Sequence, residues 1–405
     1  MNIIMKRFFC SLLMLVISVP TMCVSAQQKY GAGPLEFSSL KEWKRVHRPA
    51  IMDFFLNDVY GHYPEKQVTP RFELLEQSDK ALGGKAVRKQ VAMHLEGMST
   101  PILLLIYQPA NVKGKVPAFV CMNFKGNHQI NIDPEIIISA NAPKGKDLGA
   151  DAPRGAASSR WPLEEIIGAG YAVATIYRGD VDPDFDDNFK NGIHPLFYRD
   201  GQTKPDAEEW GTIGAWAWGL SRVMDYLEKD KSIDHKRVAV VGHSRLGKTA
   251  LWAGATDERF AIVVSNDSGC GGAALSIRKV GETVAKINKS FPHWFCDNYN
   301  KYNDNEEGLF VDQQGLIALI APRPVYVASA IEDEWADPEG EYLSALYASP
   351  VYELYGKKGL STTKQPAVEQ PDAEGDVGYH VRSGKHDITL YDWQQYIKFA
   401  NRYFK

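Results

Sequence analysis

The sequence predicts an α/β fold, a three-layer sandwich in which helices cover both faces of a mostly parallel, twisted central sheet. From residue 116 onward, short apolar runs alternate with amphipathic stretches, which is the order of strands and helices that builds a parallel sheet. Runs such as 116–123 and 171–177 are almost continuously apolar, as expected of strands buried on both faces. With 44% hydrophobic and 24% charged residues in 405, the chain can bury a large core.

The region before residue 116 predicts an amphipathic segment followed by antiparallel strands. Residues 40–60 form the amphipathic stretch. Val91, Met93 and Leu95 then alternate with polar or small residues, and 101–107 is an apolar run bounded by glycine and proline. Such patterns are typical of strands that need no helical crossover between them.

The later elements follow in regular order. Pro162 opens a short helix that ends near Gly168, because proline suits the first helical position and glycine the end. Apolar residues from Trp216 to Leu227 recur at helical spacing and predict a helix with one buried face. The remaining pattern predicts strands at 237–241, 260–265, 324–330 and 377–381, and helices at 246–255 and 393–404.

The first 26 residues predict a cleaved export signal. Lys6 and Arg7 precede an apolar run of 12 residues, and small residues stand at Val24 and Ala26, as signal peptidase requires. A membrane anchor is a weaker interpretation, because about 20 apolar residues are needed to span a bilayer. We therefore expect a signal peptide at 1–26, one enlarged domain with an N-terminal extension and insertions at 27–405, and a periplasmic or secreted product with no membrane partner after cleavage.

The charge balance and the cysteine content limit the kinds of partner, metal site and disulfide that the chain can have. Lys and Arg number 46 against 50 Asp and Glu, with no basic stripe, so no nucleic-acid partner is expected. Cys121, Cys270 and Cys296 remain after cleavage and show no metal-binding spacing. In an oxidising compartment the pair closest in sequence, Cys270 and Cys296, can form a disulfide or stay reduced. The sequence leaves that pairing open, and a monomer is favoured.

The strongest local signal for chemistry is a strand that runs through Gly242 into Ser244 and then into a helix. A sharp strand-to-helix turn strains the serine backbone and lifts its oxygen above the sheet, as in a nucleophile elbow. Gly247 stands one position later than the usual second glycine, and a simple turn with a capping serine is the alternative. The backbone N–H of Arg245 then points into the oxyanion site, and its guanidinium can reach it too.

The longer string 242–248 (GHSRLGK) resembles the signature of glucuronoyl esterases, carbohydrate esterase family 15, which are α/β-hydrolases. The similarity continues in four further segments: 265–272 (SNDSGCGG), 292–296 (PHWFC), 328–338 (ASAIEDEWADP) and 378–387 (GYHVRSGKHD). The resemblance implies that Lys248, one helical turn beyond Ser244, contacts the hydroxyls of a glucuronate ring. It also implies that Glu282 binds sugar hydroxyls, while Trp335 is placed where an aromatic side chain lines the sugar pocket.

His386 is the expected general base, because it follows the last strand, where the chain order of an α/β-hydrolase triad places the histidine. Two carboxylates compete as its partner. Asp333 follows the strand at 324–330, which is the usual place for the acid, whereas Asp267 follows the strand after the nucleophile helix. We favour Asp333, with Asp267 as a helper or structural residue.

One departure from the family pattern and one rejected metal motif stand out. Fungal members carry a disulfide between the positions of His243 and Asp387, so that bond is excluded here. The acidic segment 180–187 has a calcium-like rhythm but lacks the glycine and glutamate of an EF-hand loop. We interpret it as a solvated acidic loop near the substrate entrance.

The expected activity is that of an exported serine esterase that needs no metal or organic cofactor. The resemblance implies 4-O-methyl-glucuronoyl esters between glucuronoxylan and lignin alcohols as substrates. An acetyl-xylan or other carbohydrate esterase on the same fold is the nearest alternative, and a catalytically silent carbohydrate-binding protein is the alternative from another class.

Overall fold

The computed structural model describes residues 29–143 and 149–405, so the predicted signal peptide lies outside the described residues. One sheet contains nine strands in the order β1-β2-β3-β5-β4-β6-β7-β8-β9. The strands are β1 (Arg71–Lys80), β2 (Ala86–His94), β3 (Ile102–Pro109), β4 (Val116–Asn123), β5 (Ala172–Tyr177), β6 (Ile233–His243), β7 (Ile262–Asn266), β8 (Val325–Ala330) and β9 (Val377–Arg382).

The sheet is antiparallel at one end and parallel over the rest. Strands β1, β2, β3 and β5 pair antiparallel, whereas β5, β4, β6, β7, β8 and β9 pair parallel. All carboxyl ends of the parallel strands therefore meet at one edge, where ligands bind in open α/β sheets. The predicted α/β fold is confirmed.

Helices cover both faces. They are α1 (Leu40–Glu42), α2 (Arg48–Asp58), α3 (Ala81–Gly84), α4 (Leu163–Gly168), α5 (Arg178–Val181), α6 (Thr212–Leu227), α7 (Arg245–Thr256), α8 (Val284–Ser290), α9 (Gln313–Ile320), α10 (Pro338–Leu354) and α11 (Leu390–Phe404). A π-helical turn, Trp43–His47, joins α1 to α2. Neighbouring strand residues face opposite layers: Val240 packs in the core under α6, α7, α9 and α10, and Val241 in the core under α4 and α11.

Six elements were not predicted: strand β1 and helices α3, α5, α8, α9 and α10. Strand β1 was not expected, because most of its residues are exposed and show no apolar alternation. Helices α9 and α10 were not expected either, since the pattern between 313 and 354 is crowded with small residues and Pro350 lies inside α10, where proline normally ends a helix.

The cysteines are reduced, so the suggested Cys270–Cys296 disulfide is wrong. Cys121, Cys270 and Cys296 are buried free thiols. Cys296 directs its sulfur at the carbonyl oxygen of Asn57, 3.8 Å away, and burial raises the pKa of both Cys270 and Cys296. Within the described residues, the helices are all too short or too polar to cross a membrane.

Candidate active site

The turn between β6 and α7 has the strained geometry of a nucleophile elbow. Ser244 has φ 59° and ψ −131°, a combination that costs a non-glycine residue free energy and concentrates at functional sites. A Cβ on Gly242 would lie 1.8 Å from the carbonyl oxygen of Leu246, and one on Gly247 would lie 2.9 Å from the Cβ of Ser268. Both glycines are therefore required for the strand and helix to approach, which explains the unusual spacing of the second one.

A cavity of about 340 Å³ opens at this turn. Its walls contain every residue that the sequence singled out for chemistry or substrate binding: Ser244, Arg245, Lys248, Asp267, Glu282, Asp333, Trp335 and His386. Most of these residues lie shortly after β6, β7, β8 and β9 or in α7, the helix after β6, whereas Glu282 lies in the loop before α8. The carboxyl edge of the parallel sheet thus gathers side chains that are up to 142 positions apart in the chain, from Ser244 to His386.

Asp333 is the carboxylate that contacts His386. The Nδ1 atom of His386 lies 2.5 Å from Oδ2 of Asp333. The aspartate side chain is 5% exposed and the imidazole 39%, so the pair has one buried and one open end. A backbone hydrogen bond from the N–H of Glu332 to the carbonyl of Gly384, at 3.1 Å, ties the two loops together.

Asp267 lies deeper than Asp333. One of its oxygens, Oδ2, accepts hydrogen bonds at 3.3 Å from Arg382 and from the backbone N–H of Asp387, while Oδ1 is buried without a hydrogen-bond partner. Burial, and then the charge of Glu341, hold the pKa of Asp267 well above its usual value, although Arg382 opposes the shift. Burial therefore disfavours the charged form of this side chain.

Among the described residues, Asp267, Asp333 and His386 also lie close enough together to bind one metal ion. Single atoms of Asp267, Asp333 and His386 lie within 4.8 Å of one another. One imidazole and two carboxylates is also the composition of a hydrolase triad with a second acid. The Nδ1 atom of His386 is already bonded to Asp333, which favours the triad.

The guanidinium of Arg245 points to Asp184. Its Nη1 donates to Oδ2 of Asp184, and its plane lies 4.6 Å from the ring centroid of Trp294 and 5.2 Å from that of Phe291. Its backbone N–H, in contrast, belongs to the first turn of α7, where helical N–H groups have no partner within the helix. The backbone donor is therefore available to an oxyanion beside Ser244, while the side chain lies on the aromatic wall.

Asp184 is a central residue of the site that sequence reasoning missed. Its Oδ2 accepts from Arg245 and, at 2.5 Å, from Arg178. Its Oδ1 accepts from Trp294 Nε1 at 2.7 Å and from His293 Nε2 at 3.1 Å. Four donors thus converge on one carboxylate that is 4% exposed.

The prediction of a solvated acidic loop is consequently wrong for the first half of the segment. Asp180 and Asp182 are buried, and Asp182 accepts from His194 at 3.0 Å and Thr212 at 2.6 Å. Asp180 lies in α5, and the chain becomes extended only at Asp182, so no local pattern in the sequence marked these buried carboxylates.

Lys248 and Glu282 form a buried ion pair on the opposite wall. The Nζ atom of Lys248 lies 3.5 Å from Oε2 of Glu282 and donates to the carbonyl of Ser268 at 2.5 Å. Both side chains are less than 8% exposed. Trp335 lies at the cavity mouth, 54% exposed, with the ammonium of Lys286 5.3 Å from its ring centroid.

Known proteins share both the sequence and the fold. A curated carbohydrate esterase, MZ0003, from an unknown prokaryotic organism is 50% identical over 376 residues, which cover 90% of this chain and 86% of the relative. The solved structure of a promiscuous family 15 esterase from a marine bacterial metagenome is 48% identical, with a TM-score of 0.83, over 91% of this chain and 94% of the other. The chain belongs to carbohydrate esterase family 15. It is accordingly a carboxylic ester hydrolase, and a family profile described as glucuronyl esterase, fungi, matches residues 187–356.

A second solved structure extends the comparison. A glucuronoyl esterase from Solibacter usitatus is 44% identical, with a TM-score of 0.85, over 93% and 97% of the two chains.

The two positions that carry cysteines in fungal members lie in different surroundings in this family 15 esterase. His243 is buried beneath His386, with the ring centroids 4.6 Å apart, and its Nδ1 lies 2.6 Å from the amide oxygen of Asn266. Burial, and then the charge of His386, hold its pKa well below the usual value. Asp387 is partly exposed and pairs with Arg160 at 2.6 Å.

Proposed function

We propose that this family 15 esterase cleaves glucuronoyl esters, in particular those in which 4-O-methyl-glucuronate branches of xylan are esterified to lignin alcohols. The observation that carries the proposal is the buried Lys248–Glu282 pair in the cavity of Ser244. A cavity for a small acetyl group needs no such pair. The curated fungal relatives named 4-O-methyl-glucuronoyl methylesterase, one of them 38% identical over 135 residues, support the same substrate class.

The polar pair suits a sugar acid because it is incompletely satisfied. The ammonium group of Lys248 has three N–H donors; it donates to the carbonyl of Ser268, pairs with Glu282 and lies 5.7 Å from the ring centroid of Trp294. Its remaining donor capacity and the lone pairs of Glu282 can serve ring hydroxyls. Burial makes each such bond costly to leave unmade, which favours a ligand with hydroxyls at matching positions.

In the proposed mechanism, the Oγ atom of Ser244 attacks the C6 carbonyl carbon while His386 takes its proton. Asp333 holds His386 in the tautomer with the proton on Nδ1 and stabilises the imidazolium. The backbone N–H of Arg245 donates to the developing oxyanion. His386 then protonates the leaving alcohol, which departs and leaves a glucuronoyl ester on Ser244. In the second half, His386 takes a proton from water and the hydroxide attacks the acyl carbon. The bond between that carbon and Oγ of Ser244 then breaks, His386 returns its proton to Ser244, and the free acid departs.

A substrate panel tests the proposal. Wild type and Ser244→Ala are compared on benzyl glucuronate, the matching galacturonate ester and acetylated xylan. We expect wild type to prefer the glucuronate ester and Ser244→Ala to lose that activity. Preference for acetylated xylan would establish the acetyl esterase alternative, and unchanged activity in Ser244→Ala would overturn the serine mechanism.

A Lys248→Met variant tests whether Lys248 holds the uronate ring, because methionine keeps the length of the side chain and removes its charge and its N–H donors. The expected result is a higher KM for the glucuronate ester with a much smaller change for acetylated substrates. An equal change on both classes would contradict a role in holding the uronate ring.

We further propose that residues 1–26 direct export and that 27–405 form one domain, a monomer in the periplasm or the medium. Expression in a bacterial host, followed by fractionation and N-terminal sequencing, tests this. A mature chain that begins at Gln27 outside the cytoplasm is the expected result, and an unprocessed cytoplasmic chain would contradict it.

A further inference from the structure

The loop that carries His386, residues 383–387, is held by one buried arginine. Arg382 is the last residue of β9 and is 3% exposed. Its Nη1 donates to the carbonyl of Ser383 at 2.9 Å, and its Nη2 donates to the carbonyl of Lys385 at 3.0 Å and to that of Asp387. The backbone on both sides of His386 is therefore bonded to the same guanidinium.

The guanidinium is in turn fixed by two carboxylates. Its Nε donates to Oδ2 of Asp392 at 2.9 Å, and its Nη2 to Oδ2 of Asp267 at 3.3 Å. Asp392 also accepts from the backbone and side chain of Thr389, at 2.7 and 2.8 Å, and so caps α11. Arg382 thus connects the histidine loop to the start of α11 and to the end of β7.

We infer that Arg382 is the positioning residue that sets where His386 stands relative to Ser244. This inference rests on the proposed function, because it assigns a role in the same reaction. The imidazole of His386 is 39% exposed; Asp333 bonds to its Nδ1, and the ring of His243 lies beneath it, 4.6 Å between centroids. These contacts hold the inner side of the ring, so the distance of its open side from Ser244 also depends on where the backbone of the loop stands.

The planar guanidinium of arginine can bond to several loop carbonyls and carboxylates at once, whereas the ammonium group of lysine cannot. Arg382 reaches acceptors on opposite sides of its guanidinium, from Asp392 to the loop carbonyls. Lysine carries the same charge on a single nitrogen, so it cannot bond to all of them at once. Arg382→Lys therefore preserves the charge beside Asp267 and loosens the loop.

The chain offers a matched control in Arg402 on α11. Its guanidinium donates to three loop carbonyls, those of Ala373, Glu374 and Gly375, and none of these residues lines the cavity of Ser244. Arg402→Lys removes the same kind of contact away from the site. The two substitutions share a cost in stability and differ in their distance from His386.

The test measures kcat and KM on benzyl glucuronate, the thermal midpoint, and the rate at which a fluorophosphonate labels Ser244. Labelling reports how well His386 activates the serine, whatever the natural ester. Arg382→Lys is expected to lower kcat and the labelling rate by about 10²-fold, the size of loss that a misplaced reacting group causes, with little change in KM. Arg402→Lys is expected to lower the thermal midpoint and leave kcat and labelling unchanged.

Normal kcat and labelling in Arg382→Lys would overturn the inference, and so would an equal loss in Arg402→Lys. If Arg382→Lys does not fold, Asp392→Asn loosens the same guanidinium from the other side and is expected to lower kcat and labelling in the same direction; unchanged values there would also overturn it. The proposed function fails separately, if wild type labels at Ser244 in an Arg382-dependent manner but hydrolyses no glucuronate ester.

Discussion

Exchanging each carboxylate near His386 for its amide separates their roles. Asp333→Asn is expected to lower kcat by about 10⁴-fold, because the amide can turn its NH₂ group toward Nδ1 of His386 and stabilise the wrong tautomer. The 2.5 Å contact between Nδ1 and Oδ2 leaves no room for a water molecule to take over the role. A loss of 10⁴-fold corresponds to about 5.5 kcal/mol of transition-state stabilisation.

Asp267→Asn is expected to cost less than about tenfold, since a change that leaves the histidine tautomer intact avoids most of that loss. Burial holds the pKa of Asp267 well above its usual value, so burial disfavours its charged form. Asparagine has nearly the same shape and keeps an oxygen for the long contacts from Arg382 and the N–H of Asp387. The substitution therefore keeps the size of the side chain and its acceptor, and it does not touch His386.

The assay is steady-state hydrolysis of benzyl glucuronate by both variants and wild type near pH 7, with circular dichroism as the check on folding. The ratio of the two kcat losses is the decisive quantity, because any shared effect on protein quality cancels. Equal losses, or a larger loss for Asp267→Asn, would refute the assignment of Asp333 as the carboxylate that orients His386.

Three further substitutions test the buried polar groups and the elbow. Burial raises the pKa of Glu341 to about 7. Between about pH 4.5 and pH 7 the folded protein therefore keeps a proton on Glu341 that the unfolded chain releases. The contribution of Glu341 to the free energy of unfolding consequently falls as pH rises through that window. Glu341→Gln should therefore gain about 3 kcal/mol relative to wild type across that window, as measured by urea unfolding at several pH values, and parallel pH profiles would contradict this. Asp184→Asn leaves two arginines without their shared charge and is expected to lower the free energy of unfolding by about 1–3 kcal/mol and to reduce kcat/KM; a variant with wild-type stability would refute the assigned contacts. Gly242→Ala would set a Cβ 1.8 Å from the carbonyl oxygen of Leu246, whereas a Cβ at Gly168 meets nothing within 4 Å. Thermal melts should therefore show Gly242→Ala unfolded or with a lowered midpoint, and Gly168→Ala with an unchanged midpoint.

Sequence patterns predicted the strands that are buried on both faces along their whole length. Strands β4, β5 and β8 are buried along their whole length, and their apolar runs identified them almost to the residue. Strand β1 lies at the sheet edge with most residues exposed. Its sequence carries no periodic signal, because pairing with β2 rather than a buried face holds it in place.

Site residues were predictable where a local motif carries them. Ser244, Arg245 and Lys248 follow one strand, and their spacing alone indicates a turn with a nucleophile. Glu282 and Trp335 have no such local signal and were chosen through the family resemblance. Asp184 was missed because its partners, Arg178 aside, lie 61 positions or more along the chain from it. A carboxylate whose hydrogen-bond donors come from distant loops leaves no repeating pattern in the sequence by which it could be recognised.

In place of the fungal disulfide, polar contacts hold the main chain on both sides of His386. His243 and Asp387 cannot bond covalently, and their side chains go to separate partners, Asn266 and Arg160. Asp387 is held instead through its backbone, whose carbonyl accepts from Arg382 and whose N–H donates to Asp267. A disulfide fixes one pair of side chains, whereas these contacts fix the main chain on either side of His386. A buried arginine bonded to several main-chain carbonyls can hold a reacting group as closely as a cross-link, provided that every partner stays satisfied.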